Sequence, residues 1–131
     1  MPKPIEYQDA PEEVRLVYDD LKATRKKDWI NNFWKVIAHH PATLARLWSA
    51  VKQVMIKPSA IDPLSKEFIY IAVSVTNNCR YCIASHSAAG REKGMTDAQF
   101  GELMAIIALA NETNRLAIGY DIEVDEQFKT A

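Results

Sequence analysis

The sequence predicts an all-α protein, a six-helix bundle, and three observations predict it. Apolar residues recur at helical spacing along most of the 131 residues, helix-start signals made of proline, acids and a capping box punctuate the chain, and β-hairpin signals are missing: there are four glycines and no Asn-Gly or Asp-Gly pair. A chain of this length makes one domain, 1–131, and buries roughly 65–70% of the surface its unfolded form exposes. It has no internal repeat and no low-complexity tract.

The first helix is expected over about 11–25. Pro11-Glu12-Glu13 opens it, because proline has no N–H to leave unpaired and acids favour the positive end, and Val14, Val17, Tyr18 and Leu21 then follow at i, i+3, i+4 and i+7. A second segment, about 30–39, carries Phe33, Trp34, Val36 and Ile37 and stops before Pro41, which disfavours helical geometry in its predecessor. Pro41 opens a third helix, about 41–55, with Leu44, Leu47, Trp48, Val51, Val54 and Met55 on its apolar side. His39 and His40 read as packing or cap residues, with pocket lining as the alternative, and Trp29, Trp34 and Trp48 as core or interface.

Asp62-Pro63 is an N-cap followed by proline at the first helical position, so a fourth helix runs from there to about Thr76. Its β-branched residues Ile69, Ile71, Val73 and Val75 would also suit a strand; the capped start and a length of about 14 residues favour helix. The fifth helix begins at or just after Asn78 and ends at Gly94. Thr96-Asp97-Ala98-Gln99 fits a capping box for a sixth, about 97–118. Residues 103–110 of this last helix are apolar nearly all round, which requires cover on more than one side and predicts a homo-oligomer; a central helix in a compact bundle is the alternative.

Charge excludes some functions. Sixteen basic residues are scattered against seventeen acidic ones for a net charge of −1, so there is no basic stripe for nucleic acid. The start has no apolar stretch that reads as a signal peptide, and the longest nearly apolar runs, 68–75 and 103–110, fall short of a membrane span. The expectation is a cytoplasmic protein with neither nucleic-acid nor membrane partners. In that reducing compartment, a cysteine pair is more often catalytic or metal-binding than a structural staple.

The chemistry concentrates at Cys79-Arg80-Tyr81-Cys82-Ile83-Ala84-Ser85-His86, which holds both cysteines. Near the start of the fifth helix, unpaired N–H groups and the helix dipole favour a thiolate. Three residues of separation put both sulfurs on one face, within reach of a disulfide, and His86 shares that face four residues after Cys82. If the fourth and fifth helices form an antiparallel hairpin turning at Asn77-Asn78, Glu67 comes level with His86 to within a turn. A carboxylate beside an imidazole orients the ring, which suggests a relay from Glu67 to His86 to Cys82 with Cys79 completing the disulfide. A metal site of Cys79, Cys82, His86 and Glu67 and a pair of inert core thiols are the alternatives.

This pattern, Glu67, eleven residues, Cys79-x-x-Cys82, three residues, His86, resembles the active-site motif of the alkyl hydroperoxidase D (AhpD)-like branch of the carboxymuconolactone decarboxylase superfamily. His40-Pro41-Ala42-Thr43-Leu44, Leu64-Ser65-Lys66-Glu67 and Tyr81 to Ala89 look like its short peroxidase-related members, and the resemblance covers about 30–118. It implies an all-α fold assembled into trimers or hexamers. It also implies a thiol-dependent peroxidase or disulfide reductase that needs no haem, flavin or metal, acting on a hydroperoxide and recharged by a thiol or dithiol, a peroxiredoxin or a lipoyl-type partner. In that family the cysteine matching Cys82 is activated through the residues matching His86 and Glu67, and the one matching Cys79 closes the disulfide.

The sequence departs from the family pattern at one position. The best-studied members have a histidine directly before the second cysteine, where this chain has Tyr81; tyrosine titrates near 10 and shuttles protons less well at neutral pH, which makes Tyr81 a modulator of the site. Two other functional classes stay open at this point. One is an acid–base enzyme of the lactone decarboxylase type using Glu67 and His86 with the thiols as bystanders. The other is a non-enzymatic redox sensor whose disulfide switches shape.

Overall fold

In the computed structural model, which describes residues 1–129, the chain is all-helical, and among the described residues there is no strand. Six α-helices follow in order: α1 (Glu12–Arg25), α2 (Asn32–Ile37), α3 (Pro41–Val51), α4 (Pro63–Thr76), α5 (Arg80–Glu92) and α6 (Asp97–Gly119). A π-helical turn, Lys52–Ile56, extends α3, and short 3₁₀ turns stand at Tyr7–Asp9 and Glu126–Phe128. No described helix is long and apolar enough to cross a membrane. The chain divides into two compact units, one ending at Lys57 and the other beginning at Pro58.

In the first unit α1 starts behind Pro11 with Glu12 and Glu13 in its first turn and ends with Lys26 in the left-handed region at φ 54°. Val14, Tyr18 and Leu21 are buried, together with Ala10, Ile30, Trp34, Ala38, Leu44 and Trp48. Burying phenol and indole requires partners for their polar ends. The Tyr18 hydroxyl donates to Ile5 O at 2.9 Å, and burial pushes its pKa up to about 12. Asp20 accepts from Trp48 Nε1 at 2.7 Å and Lys52 Nζ at 2.6 Å, tying α1 to the end of α3.

The second helix is shorter than expected. It ends at Ile37, and the residues before Pro41 form a turn in which His40 caps α3, its Nδ1 accepting the Thr43 N–H at 3.2 Å. His39 Nε2 bonds to Lys3 O at 2.7 Å, so both histidines serve as cap and tether. Trp34 and Trp48 meet edge to face in the core, whereas Trp29 is exposed, with Arg25 and Lys27 near its ring.

In the second unit the β-branched stretch is helical, because its start is capped: Asp62 accepts from Ser65 N at 2.9 Å and from Ser65 Oγ at 2.6 Å, with Pro63 at N1. The chain reverses at Asn77-Asn78, where Asn78 takes φ 57°, a conformation asparagine tolerates better than most residues, and α5 returns antiparallel to α4. It ends at Lys93 and Gly94, whose φ of 95° suits a residue without Cβ, while Met95 N–H bonds back to Gly90 O at 2.9 Å.

The Thr96–Gln99 capping box then starts α6. Leu103 and Ile107 pack with Ile71 and Met95. Gly90 leaves room for the Met95 side chain: a Cβ there would sit 3.2 Å from Met95 Cε, and at an ordinary 3.8 Å from Glu67 Cβ.

Of the apolar run on α6, only Leu103 and Ile107 are buried within the chain; Ile106 and Leu109 are 59% and 61% exposed, and Leu116 and Ile118 are also open.

Candidate active site

The α4–α5 hairpin carries every residue of the candidate site. Cys79 and Cys82 form a disulfide with their Cα atoms 5.3 Å apart. Helix α5 starts two residues later than a beginning at Asn78 would place it. Asn78 is left-handed and Cys79 N–H turns back to Ser74 O at 2.9 Å, so Cys79 is the N-cap and its sulfur accepts the Cys82 N–H at 3.3 Å. A sulfur in that position meets the positive end of the helix, which favours negative charge on it.

Glu67, nineteen residues before His86, comes level with it across the hairpin, and the carboxylate Oε2 lies 2.7 Å from His86 Nδ1. Glu67 is 4% exposed. Its second oxygen, Oε1, accepts from Lys93 Nζ at 3.0 Å. Burial, the largest single influence, pushes the carboxyl pKa up, but the hydrogen bonds from His86 and Lys93 and their positive charge outweigh it and hold the group below its ordinary value of 4.5.

An ionised carboxylate only accepts hydrogen bonds, so Nδ1 must carry the hydrogen that binds Oε2. In the neutral imidazole the lone pair is then on Nε2. Tyr70 covers one face of the ring, stacked at 3.6 Å between centroids with 19° between planes. The imidazole is thus fixed by an in-plane hydrogen bond and by an aromatic wall, with one nitrogen left able to accept a proton.

A buried carboxylate held ionised has a signature in stability. Because the folded-state pKa is lowered, Glu67 contributes stability that is fully present above 4.5 and is lost as pH falls through the lower folded-state value. Denaturant unfolding of the wild type therefore weakens across that acid window, and Glu67→Gln, which cannot titrate there, shows a flatter dependence over the same range.

The hairpin brings Glu67 to His86 and carries the Cys79–Cys82 pair at the start of the helix that holds His86. Tyr81, between the cysteines, is exposed. Sequence reasoning missed Tyr70 and Lys93. The signal was periodicity: Tyr70 stands three after Glu67 and Lys93 seven after His86, spacings that put Tyr70 on the Glu67 face of α4 and Lys93 on the His86 face of α5, the two faces that meet across the hairpin. Among the described residues no group of three or more His, Cys, Asp or Glu side chains is placed to hold a metal ion.

The chain is similar to several known proteins. Residues 42–119 match the carboxymuconolactone decarboxylase family. The chain is 36% identical over 64 residues to the alkyl hydroperoxide reductase AhpD of Solibacter usitatus, covering 49% of this chain and 34% of that protein. It is 28% identical over 116 residues to the protein of the same name from Azorhizobium caulinodans, covering 82% of this chain and 64% of that protein. The chain thus spans about a third of the first relative and just under two thirds of the second.

The crystal structure of the alkylhydroperoxidase AhpD core from Rhodospirillum rubrum superposes with a TM-score of 0.86 at 52% identity, covering 88% of this chain and 85% of that one. With more than half of its length matched by the family and its helical fold shared with that core, the chain belongs to the carboxymuconolactone decarboxylase family.

Proposed function

We propose that this protein is a thiol-dependent peroxidase that reduces hydroperoxides through the Cys79–Cys82 pair, with Cys82 as nucleophile, His86 as its proton acceptor, Glu67 as the orienting carboxylate and Cys79 as the resolving thiol. The observation that carries the reading is one helix face on which a disulfide-forming pair is followed, one turn beyond Cys82, by an imidazole held by a buried carboxylate. The names of the AhpD relatives support the same chemistry.

In the reduced state, His86 Nε2 takes the Cys82 proton. The thiolate attacks the terminal oxygen of the hydroperoxide, the O–O bond breaks, and the leaving alkoxide takes up a proton as the alcohol, which leaves a sulfenic acid on Cys82. Cys79 attacks that sulfur, water departs, and the disulfide closes. An external dithiol then donates two electrons and two protons, becomes a disulfide itself, and restores both thiols. Tyr81 modulates the proton traffic, since a phenol exchanges protons at neutral pH less readily than the histidine it replaces.

The open apolar face of α6 supports a homo-oligomer, a trimer or hexamer, in which a second copy covers Ile106 and Leu109. The reductant is a thiol or dithiol protein, of peroxiredoxin or lipoyl type. Alternation between oxidant and reductant gives ping-pong kinetics, and parallel lines in double-reciprocal plots of peroxide reduction against a dithiol test it.

One observation favours a second reading. The Glu67–His86 pair is complete without the sulfurs, as an acid–base enzyme of the lactone decarboxylase type would require. Lactone decarboxylation that survives loss of both cysteines would select it.

A further inference from the structure

We infer that Lys93 is a positioning residue of this site: its ammonium grips Glu67 Oε1 and thereby keeps Oε2 a pure acceptor for His86 Nδ1. The inference rests on the proposed use of His86 as proton acceptor.

The carboxylate sits between two hydrogen-bond donors of different kinds, an imidazole and an ammonium. His86 holds Oε2 at 2.7 Å and Lys93 holds Oε1 at 3.0 Å, while the Glu67 side chain is only 6% exposed. Lys93 is placed for this by its backbone. It is the C-cap of α5, its N–H bonds to Ala89 O at 3.2 Å, and Gly94 at φ 95° turns the chain immediately after it. From there the side chain reaches across the hairpin to α4.

Among the described residues, the titratable groups recorded on the carboxylate are His86 and Lys93, both presented by α5 and its cap. The residues through which α6 packs toward α4, Phe100, Leu103, Met104 and Ile107, carry no charge. Lys66 precedes Glu67 on α4 itself and is buried.

The consequence is chemical. A carboxyl in an apolar setting with only a neutral imidazole beside it favours the protonated acid. A protonated Glu67 would donate its hydrogen to Nδ1, which would then be the acceptor, and the ring hydrogen would move to Nε2. An Nε2 that already carries hydrogen cannot take the Cys82 proton. Lys93 bonds to the far oxygen of Glu67, and its charge there decides which ring nitrogen of His86 is basic.

The test compares Lys93→Met and Lys93→Gln, which remove the charge, with Lys93→Arg, which keeps it. The ¹³C signal of the Glu67 carboxyl in the reduced protein is titrated by NMR, and peroxide turnover is followed against pH. In both neutral variants the carboxyl midpoint rises, and turnover at acid pH falls about tenfold below wild type, the deficit closing as pH increases. Lys93→Arg stays close to wild type in both measurements.

A carboxyl midpoint unchanged in the neutral variants, a turnover loss equal at every pH, or an arginine variant no better than methionine would overturn the inference. If the wild type reduces no hydroperoxide, the proposed function fails, and the carboxyl titration still decides the role of Lys93.

Discussion

Cys82→Ser is expected to reduce hydroperoxide turnover to the uncatalysed background, while Cys79→Ser retains a first reduction that ends in a stable sulfenic acid. The asymmetry follows from the helix. His86 lies one turn beyond Cys82 but two beyond Cys79, which under the proposed roles gives the imidazole to the second sulfur and leaves the first, at the N-cap, to close the disulfide. A serine hydroxyl stays protonated at neutral pH and has no comparable reactivity toward a peroxide oxygen. Peroxide consumption with excess dithiol checks the first variant, and a sulfenic-acid trapping reagent checks the second. Full consumption by Cys82→Ser would remove the thiol from the mechanism altogether.

His86→Asn should lower turnover by about 10²–10⁴-fold, the usual cost of losing a positioned general base. Asparagine can still offer an N–H toward Glu67 Oε2, so the buried carboxylate keeps a partner and the hairpin persists, but the amide has no basic nitrogen for the Cys82 proton. Removing the partner outright with His86→Ala exposes the other half of the interaction. Glu67 then depends on Lys93 alone, and stability falls by about 1–3 kcal/mol, the penalty for leaving part of a buried charged group unsatisfied. Chemical unfolding separates the two effects, since asparagine loses rate with little stability and alanine loses both.

Where one residue dictates its own local geometry, the fold was legible in the sequence. Asp62-Pro63 starts α4, Thr96 and Gln99 close a capping box, and Asn78 makes the left-handed turn that folds Glu67 back onto His86. That last pairing needed only the helical rise and the position of the turn, which is why a separation of nineteen residues could be bridged from the sequence.

What escaped depended on competition between partners or on facing side chains. A helix starting at Asn78 puts Cys79 inside its first turn; Cys79 is the N-cap, with its N–H taken by Ser74 O, a bond visible only once the hairpin is closed. The third helix widens to π geometry from Lys52, and Lys52 Nζ bonds to Asp20 on α1, neither of which a local pattern announces. Tyr70 and Lys93 look like ordinary surface residues of their helices, and the hairpin turns them onto the imidazole and its carboxylate. Trp29 stays outside the core, exposed, with the Arg25 and Lys27 cations over its ring.

The central claim is that hydroperoxide oxidises this pair as a step of turnover. Stopped-flow mixing of the fully reduced protein with an organic hydroperoxide, followed by thiol counting and mass spectrometry of the quenched product, addresses it directly. The account predicts loss of two thiols per chain for each hydroperoxide reduced, a Cys79–Cys82 disulfide as the product, and its formation at least as fast as steady-state turnover. Peroxide reduced with both thiols intact, or a disulfide forming more slowly than turnover, would contradict it.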